Sequence, residues 1–416
     1  MQSQLTAVVF VLVFLKIAIA FVVILFVVGF GKKFLARLKS KSRAEFFAKQ
    51  KYILLEITPP KNLQKTPQAM ELFLGSLYQA GGDASGMIAK YTNGSCRPWF
   101  SLEIVSIDGF VSFFIWSRAN FLEMIETQLY SQYPDVEIID RTGNDYATNI
   151  KWDPSNYQYW GCNFVKTAVS HLPIKTYVSH GMVGGGKEES KVDPITPVIE
   201  LLGSLKKNEQ IWFQILVRAH TKEILKPGTR NEFVDWKYEA GLDLIKRMKR
   251  DIKMDKDKPV NPALLQLTKA EKEAAEAIEN NISKLPFDCG VRAIYIAKQD
   301  VFRPSMIAGI NGAFRQYGTP NLNGFKTVGA PKGTRFKWQD KDGKKLEAQK
   351  KKIVGEYQHR SFFIPEYIPF GARLKHFIMT TEELATIFHL PGNVARTPTM
   401  SRVQAKKVEP PSNLPI

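Results

Sequence analysis

Residues 99–117, WFSLEIVSIDGFVSFFIWS, decide how this chain folds. Two runs rich in aromatic and β-branched residues, 99–107 and 110–117, flank Asp108-Gly109. That dipeptide suits the positive φ angles of a two-residue turn, so the stretch reads as a β-hairpin. Upstream, residues 51–57 (KYILLEI) read as a strand and Thr58-Pro59-Pro60 as a turn. Thr66-Pro67 then opens a helix through QAMELFLGSLYQ, with Pro in its first turn. Downstream, a helix over 119–133 ends at Pro134 and a strand follows over 136–139. The order β-α-β-β-α-β is the split-βαβ pattern of ferredoxin-like folds.

The order repeats. A strand around 175–178, a helix over 197–206 (PVIELLGSLK), strands over 211–218 (IWFQILVR) and 291–297 (VRAIYIA), and a helix over 304–317 form the second series. Leu74-Gly75-Ser76-Leu77 matches Leu202-Gly203-Ser204-Leu205, Trp99-Phe100 matches Trp212-Phe213, and Gln132-Tyr133 matches Gln316-Tyr317. All three matches fall at equivalent points, so the expectation is an α+β chain with two tandem ferredoxin-like modules, 51–150 and 151–325. The alternative is one irregular α+β domain. A charged insertion, 221–287, interrupts the second module. It carries Lys246, Arg247, Lys249, Arg250, Lys253, Lys256 and Lys258, then a capping box at Thr268-Lys269-Ala270-Glu271, and reads as a helical hairpin.

The chain has 416 residues, with 58 Lys and Arg against 40 Asp and Glu, a net charge of +18. Three cysteines (Cys96, Cys162, Cys289) and six scattered histidines without an HExxH exclude a disulfide-stapled secreted domain and a metalloprotease. Residues 5–30 are almost wholly apolar, broken only by Lys16, which is enough to span a bilayer. A cleaved signal peptide is the alternative, with Ala18-Ile19-Ala20 as its site. Against it, no basic residue precedes the run, apolarity continues past Ala20, and the basic cluster Lys32, Lys33, Arg37, Lys39, Lys41 and Arg43 follows. The reading is a transmembrane anchor over 1–31 and a basic juxtamembrane segment over 32–50. The positive-inside rule then puts the N-terminus outside and the body in the cytoplasm of a single-pass inner-membrane protein. Lys16 at mid-span is costly there; its long side chain can snorkel to the interface or face a partner helix, and the second alternative hints at a homo-oligomer.

Several motifs fail on context. Gly181 to Lys187 has the spacing GxxxxGK, but Glu188 replaces the magnesium-binding hydroxyl and Asp193-Pro194 leaves no room for a following helix. Cys289 directly precedes a strand without a nearby histidine, which favours a buried thiol over a nucleophile. Trp99, Phe100, Phe113, Phe114 and Trp116 could stack bases, but strand-interior aromatics more often belong to a core. The segment 326–360 reads as a basic loop. Its Lys337, Lys344, Lys345, Lys350, Lys351 and Lys352 suit DNA phosphates, an anionic leaflet, or plain solvation.

The C-terminal segment, 361–416, contains Thr380-Thr381-Glu382-Glu383, a capping box before EELATIFHLPG, and then PPSNLP at 410–415. With LLEITPP (54–60) and HRSFFIPEY (359–367), it resembles the non-ATPase N-terminal region of membrane-anchored type IV secretion and conjugation ATPases, of the kind found in the candidate phyla radiation. The resemblance implies a bacterial inner-membrane setting and a P-loop ATPase partner. The chain holds no phosphate-binding loop, so no residue inherits ATP hydrolysis. The expected function is therefore non-catalytic and cofactor-free: tethering or scaffolding a separate motor, with Arg402, Lys406 and Lys407 at the partner interface. The alternative is a membrane-attached nucleic-acid-binding protein working through its basic tracts.

Overall fold

The computed structural model describes residues 2–60, 63, 65–84, 86, 88–183, 192–221, 224–225, 233–248, 268–334, 340, 342–363 and 375–392. In chain order the elements begin with α1 (Gln2–Ala48), β1 (Tyr52–Thr58), α2 (Pro67–Ser76), α3 (Ala89–Thr92), β2 (Phe100–Ile107) and β3 (Phe110–Arg118). They continue with α4 (Leu122–Gln132), β4 (Glu137–Asp140), α5 (Tyr146–Asn149), β5 (Tyr157–Lys166), α6 (Thr196–Gly203) and β6 (Glu209–Ala219). A small pair, β7 (Ile224–Leu225) and β8 (Phe233–Val234), precedes α7 (Trp236–Met248) and α8 (Lys269–Ile282). Last come β9 (Pro286–Lys298), α9 (Pro304–Ala313), β10 (Phe325–Val328), α10 (Lys344–Gln358), β11 (Phe377–Thr380) and α11 (Thr381–Ile387).

The chain forms two units, residues 1–50 with 81–96, and residues 51–80 with 97–416. In the first, α1 runs unbroken for 47 residues through the apolar stretch and on through the basic cluster. Its most apolar 18-residue window has a mean hydropathy of 2.7, so it is long and apolar enough to cross a membrane. A signal sequence meets the same test.

The second unit is built on one nine-stranded antiparallel sheet, ordered β10-β5-β9-β6-β2-β3-β1-β4, with β11 added to the start of β9. Asp108 and Gly109 turn the β2–β3 hairpin at φ of 56° and 88°, as the dipeptide predicts. The center is the β2–β6 pair, in register from Phe100↔Val217 to Ile107↔Gln210. Side chains alternate along each strand, so Phe100, Leu102 and Ile104 of β2 share one face with Ile211, Phe213 and Ile215 of β6. Against that face α2, α4, α6, α9 and α11 bury Phe73, Leu129, Leu202, Ile310 and Leu384 among others, forming the main core. The opposite face is covered over β5 and β9 by α10. Coverage on both sides explains why β9 is buried over nearly its whole length.

Two expectations are corrected. Residues 175–178 form no strand; the first strand of the second series is β5, Tyr157–Lys166, which carries the pattern YQYWGCNFVK. Gly161 obscured it, and the glycine is there for space: a Cβ would lie 2.7 Å from Ile294 Cδ1 and 3.2 Å from Ile353 Cδ1 of α10. The segment expected as a basic loop holds β10 and α10 instead. Its lysines masked a helical stripe, of which Ile353, Val354 and Tyr357 are buried. In the insertion, α7 and α8 pack together around Ala240, Ala274 and Ile278, and Thr268 and Glu271 make the expected capping box. The capping box at Thr380 and Glu383 is also present.

Candidate functional site

The sequence-flagged lysines divide by unit. Lys16, Lys32, Lys33, Arg37, Lys39, Lys41 and Arg43 all lie on α1, with Lys41 Nζ 3.9 Å from Glu45. Lys344, Lys345, Lys350, Lys351 and Lys352 lie on α10. Lys337, Arg402, Lys406, Lys407, most of the Gly-rich loop and residues 249–267 of the insertion lie outside the described residues. The α10 lysines do not form one open patch. Lys350 Nζ is 2.7 Å from Glu347, Lys344 Nζ is 3.0 Å from Asp342, and Lys352 Nζ is 3.9 Å from Glu356. Lys344, Lys345 and Lys351 are exposed.

Beside α10 the sheet face opens into a groove of about 700 Å³. One wall is Ile150, Trp152 and Tyr159; the other is the α10 stripe Ala348, Lys351, Lys352 and Gly355. The Trp152 and Tyr159 rings stack at 4.3 Å. The Tyr159 hydroxyl accepts from the Asp153 amide at 3.1 Å, which fixes the ring. The groove joins residues nearly two hundred positions apart, and sequence reading missed it because Trp152 and Tyr159 lay between the elements it recognized.

Under the C-terminal end of α10 lies a buried polar network that sequence reading also missed. Arg360 donates from Nε and Nη2 to Glu103 at 2.8 and 3.1 Å, and from Nη1 to Asp145 at 2.7 Å. Glu103 also accepts from Ser101, Gln214 and Tyr146, and the Tyr146 and Tyr357 hydroxyls are 2.8 Å apart. Burial pushes both tyrosines well above their ordinary value, with the Glu103 charge adding to it. On β9, Arg292 pairs in register with Gln214 and Asn163. It donates to the Ser361 carbonyl at 2.8 Å, while its Nε and Nη1 have no hydrogen-bond partner among the described residues. Burial lowers its pKa to about 10. The only sequence signal for this network is a charged or amide residue in the middle of each of three apolar strands.

A second cluster joins β6, β9 and residue 376. Asp288 accepts from Arg218 at 2.7 Å, meets His220 Nδ1 at 2.6 Å and lies 3.4 Å from His376 Nε2. Burial raises the Asp288 pKa, but the His220 hydrogen bond and the charges of His376 and Arg218 outweigh it and hold the carboxyl low. The adjacent Cys289 thiol is pushed well above its ordinary value, first by burial and then by Asp288. It is a buried core cysteine, and it lies within β9 rather than before the strand as expected. Among the described residues, no group of three or more His, Cys, Asp or Glu is placed to hold a metal ion.

Residues 35–403 match the family described as Domain of unknown function (DUF8128). The chain belongs to the DUF8128 family. The DUF8128 region takes in the basic end of α1, the whole sheet, the groove and both polar clusters. A search of curated proteins found no match.

Proposed function

We propose that this DUF8128 protein is a single-pass, membrane-anchored, non-catalytic scaffold that presents its folded body to a separate P-loop ATPase of a type IV secretion or conjugation-like machine. The observation that carries the anchoring is α1, apolar over a membrane's thickness and basic in its C-terminal half. The positive-inside rule favors an outside N-terminus and a cytoplasmic body at the bacterial inner membrane. An exposed Lys16 in mid-span favors a partner helix, and so a homo-oligomer. The body supports two ferredoxin-like modules: β4-β1-β3-β2 in the first half repeats as β10-β5-β9-β6 in the second, each with two helices on one face. The motor partnership rests on the resemblance of the C-terminal segment. Cross-linking of the full chain in native membranes, read by mass spectrometry, tests it. A co-purifying P-loop ATPase with cross-links at Lys406 and Lys407 is expected; its absence at saturating cross-linker removes the motor from the reading.

The second reading, a membrane-attached DNA-binding protein, is favored by the exposure of Lys344, Lys345 and Lys351 on α10. It requires DNA affinity that falls steeply with salt and a shallower slope once these three are replaced by Glu.

A further inference from the structure

We propose that the groove beside α10 binds a long-chain fatty-acid anion, with its acyl chain along Trp152, Tyr159 and Gly355 and its carboxylate between Lys351 and Lys352. This goes beyond the scaffold reading and stands or falls separately.

The helix wall has a definite pattern. Ala348, Lys351, Lys352 and Gly355 follow one another at i, i+3, i+4 and i+7, which is one face of a helix. Small residues at both ends of that stripe leave a floor, and Lys351 and Lys352 lie between them on the same wall. A mid-helix glycine costs about 1 kcal/mol relative to alanine. No neighboring protein atom requires this one, since a Cβ at Gly355 would meet nothing within 4 Å. What the glycine preserves is the width of the groove. The volume of about 700 Å³ falls within the roughly 300–1,000 Å³ of small-molecule sites.

The facing wall selects an apolar chain. Trp152 is partly exposed and stacks on the buried Tyr159, whose hydroxyl is engaged by the Asp153 amide, so the wall is chiefly the Trp152 indole held over a fixed ring. Charge selects the head group. The groove lining contains two lysines and no acidic side chain. Lys351 makes no ion pair among the described residues, and Lys352 has only the distant carboxylate of Glu356 at 3.9 Å. An apolar trough with two cations at one side complements a single-chain anionic amphiphile better than a neutral or cationic one.

The test uses the full chain in nanodiscs of zwitterionic phosphatidylcholine and a diazirine-bearing palmitate as photoprobe. Adducts are expected on the peptides containing Trp152, Tyr159 and 348–359, displaced by excess palmitate but not by hexadecyltrimethylammonium. The pair Lys351→Glu with Lys352→Glu should cut these adducts by about tenfold or more, the size of losing a charge-assisted contact, and Gly355→Leu should reduce them by filling the trough. Circular dichroism verifies that each variant is folded. The proposal is overturned by any of three results: adducts confined to α1, equal displacement by the cationic amphiphile, or unchanged labeling in folded Gly355→Leu. Displacement by an acidic peptide with no effect of palmitate would likewise overturn it and assign the groove to a protein partner.

Discussion

Arg360 grips Glu103 through two nitrogens, across 257 positions of sequence and with both side chains sealed from solvent. Arg360 sits at φ 48°, in the left-handed region that non-glycine residues rarely occupy, and this backbone turn aims the guanidinium back under α10. Desolvation alone lowers the Arg360 pKa, but Glu103 and Asp145 reverse that and keep it charged. Breaking a buried pair of this kind leaves an uncompensated charge and costs about 3–5 kcal/mol. Arg360→Met should therefore lower the stability of the body by that amount in urea unfolding. Adding Glu103→Gln should recover part of the loss, because the stranded carboxylate is gone. Additive losses in the double variant would show that the two residues act independently.

Acid should loosen the fold through Asp193, the buried carboxyl beside His389. The His389 ring faces acceptors on both sides, the Ala385 carbonyl at 2.7 Å and Asp193 Oδ1 at 2.9 Å. Burial by itself raises the Asp193 pKa. The charge and hydrogen bond of His389, with amide bonds from Ile195 and Gly392, outweigh it and hold the carboxyl below its ordinary 3.8. A carboxyl lowered by folding contributes stability that is whole above the unfolded value and drains as pH falls through the folded one. The buried Asp288 acts in the same direction. The urea midpoint should hold at neutral pH and fall as pH drops from about 5 to 3. Asp193→Asn should be less stable at pH 7 and show a flatter acid limb. A midpoint independent of pH over that range would count against both carboxylates.

The tip of the β2–β3 hairpin is knitted to the start of β6. Asp108 donates its amide to the Glu209 carbonyl at 2.9 Å and accepts from the Asn208 amide at 2.6 Å. Gly109 has φ 88°, and a Cβ there would lie 2.8 Å from the Leu205 carbonyl oxygen. Gly109→Ala should cost about 1–3 kcal/mol through forced backbone strain. Hydrogen exchange should report faster opening at 208–212 than elsewhere in the sheet. Uniform exchange would mean that the strain is absorbed locally.

Two cysteines should be chemically silent in the native protein. Burial pushes Cys162 up to about 12 and Cys289 well above 9, so neither is a thiolate near neutral pH. A disulfide reagent at pH 8 should modify them only as the body unfolds, at a rate that rises with urea. Rapid modification of Cys289 in the folded state would restore the nucleophile reading.

The legible parts of the fold are those with local chemistry behind them. Asp108-Gly109 identifies its hairpin unaided, and Thr268 with Glu271 marks its helix start from four residues. The second series was readable mainly by repetition of the first. β5 was lost because Gly161, placed there so that Ile294 and Ile353 can approach, interrupts the apolar run. α10 was lost because lysines outnumber the apolar residues that fix it to the sheet. Sequence shows its five lysines as a basic run, whereas the fold pairs three of them with Glu347, Glu356 and Asp342. Glu103, Gln214 and Arg292 belong together only because β2, β6 and β9 are neighbors in register, which no one-dimensional pattern contains.

The β2–β6 ladder also has a mechanical meaning. Its two strands run antiparallel from Phe100↔Val217 to Ile107↔Gln210, with the hairpin tip hooked over one end. A pull directed along these strands loads every rung together, in shear, and meets far more resistance than a pull across them that opens one rung at a time. The seam between the halves is thus stiff along one axis and weak along the perpendicular one.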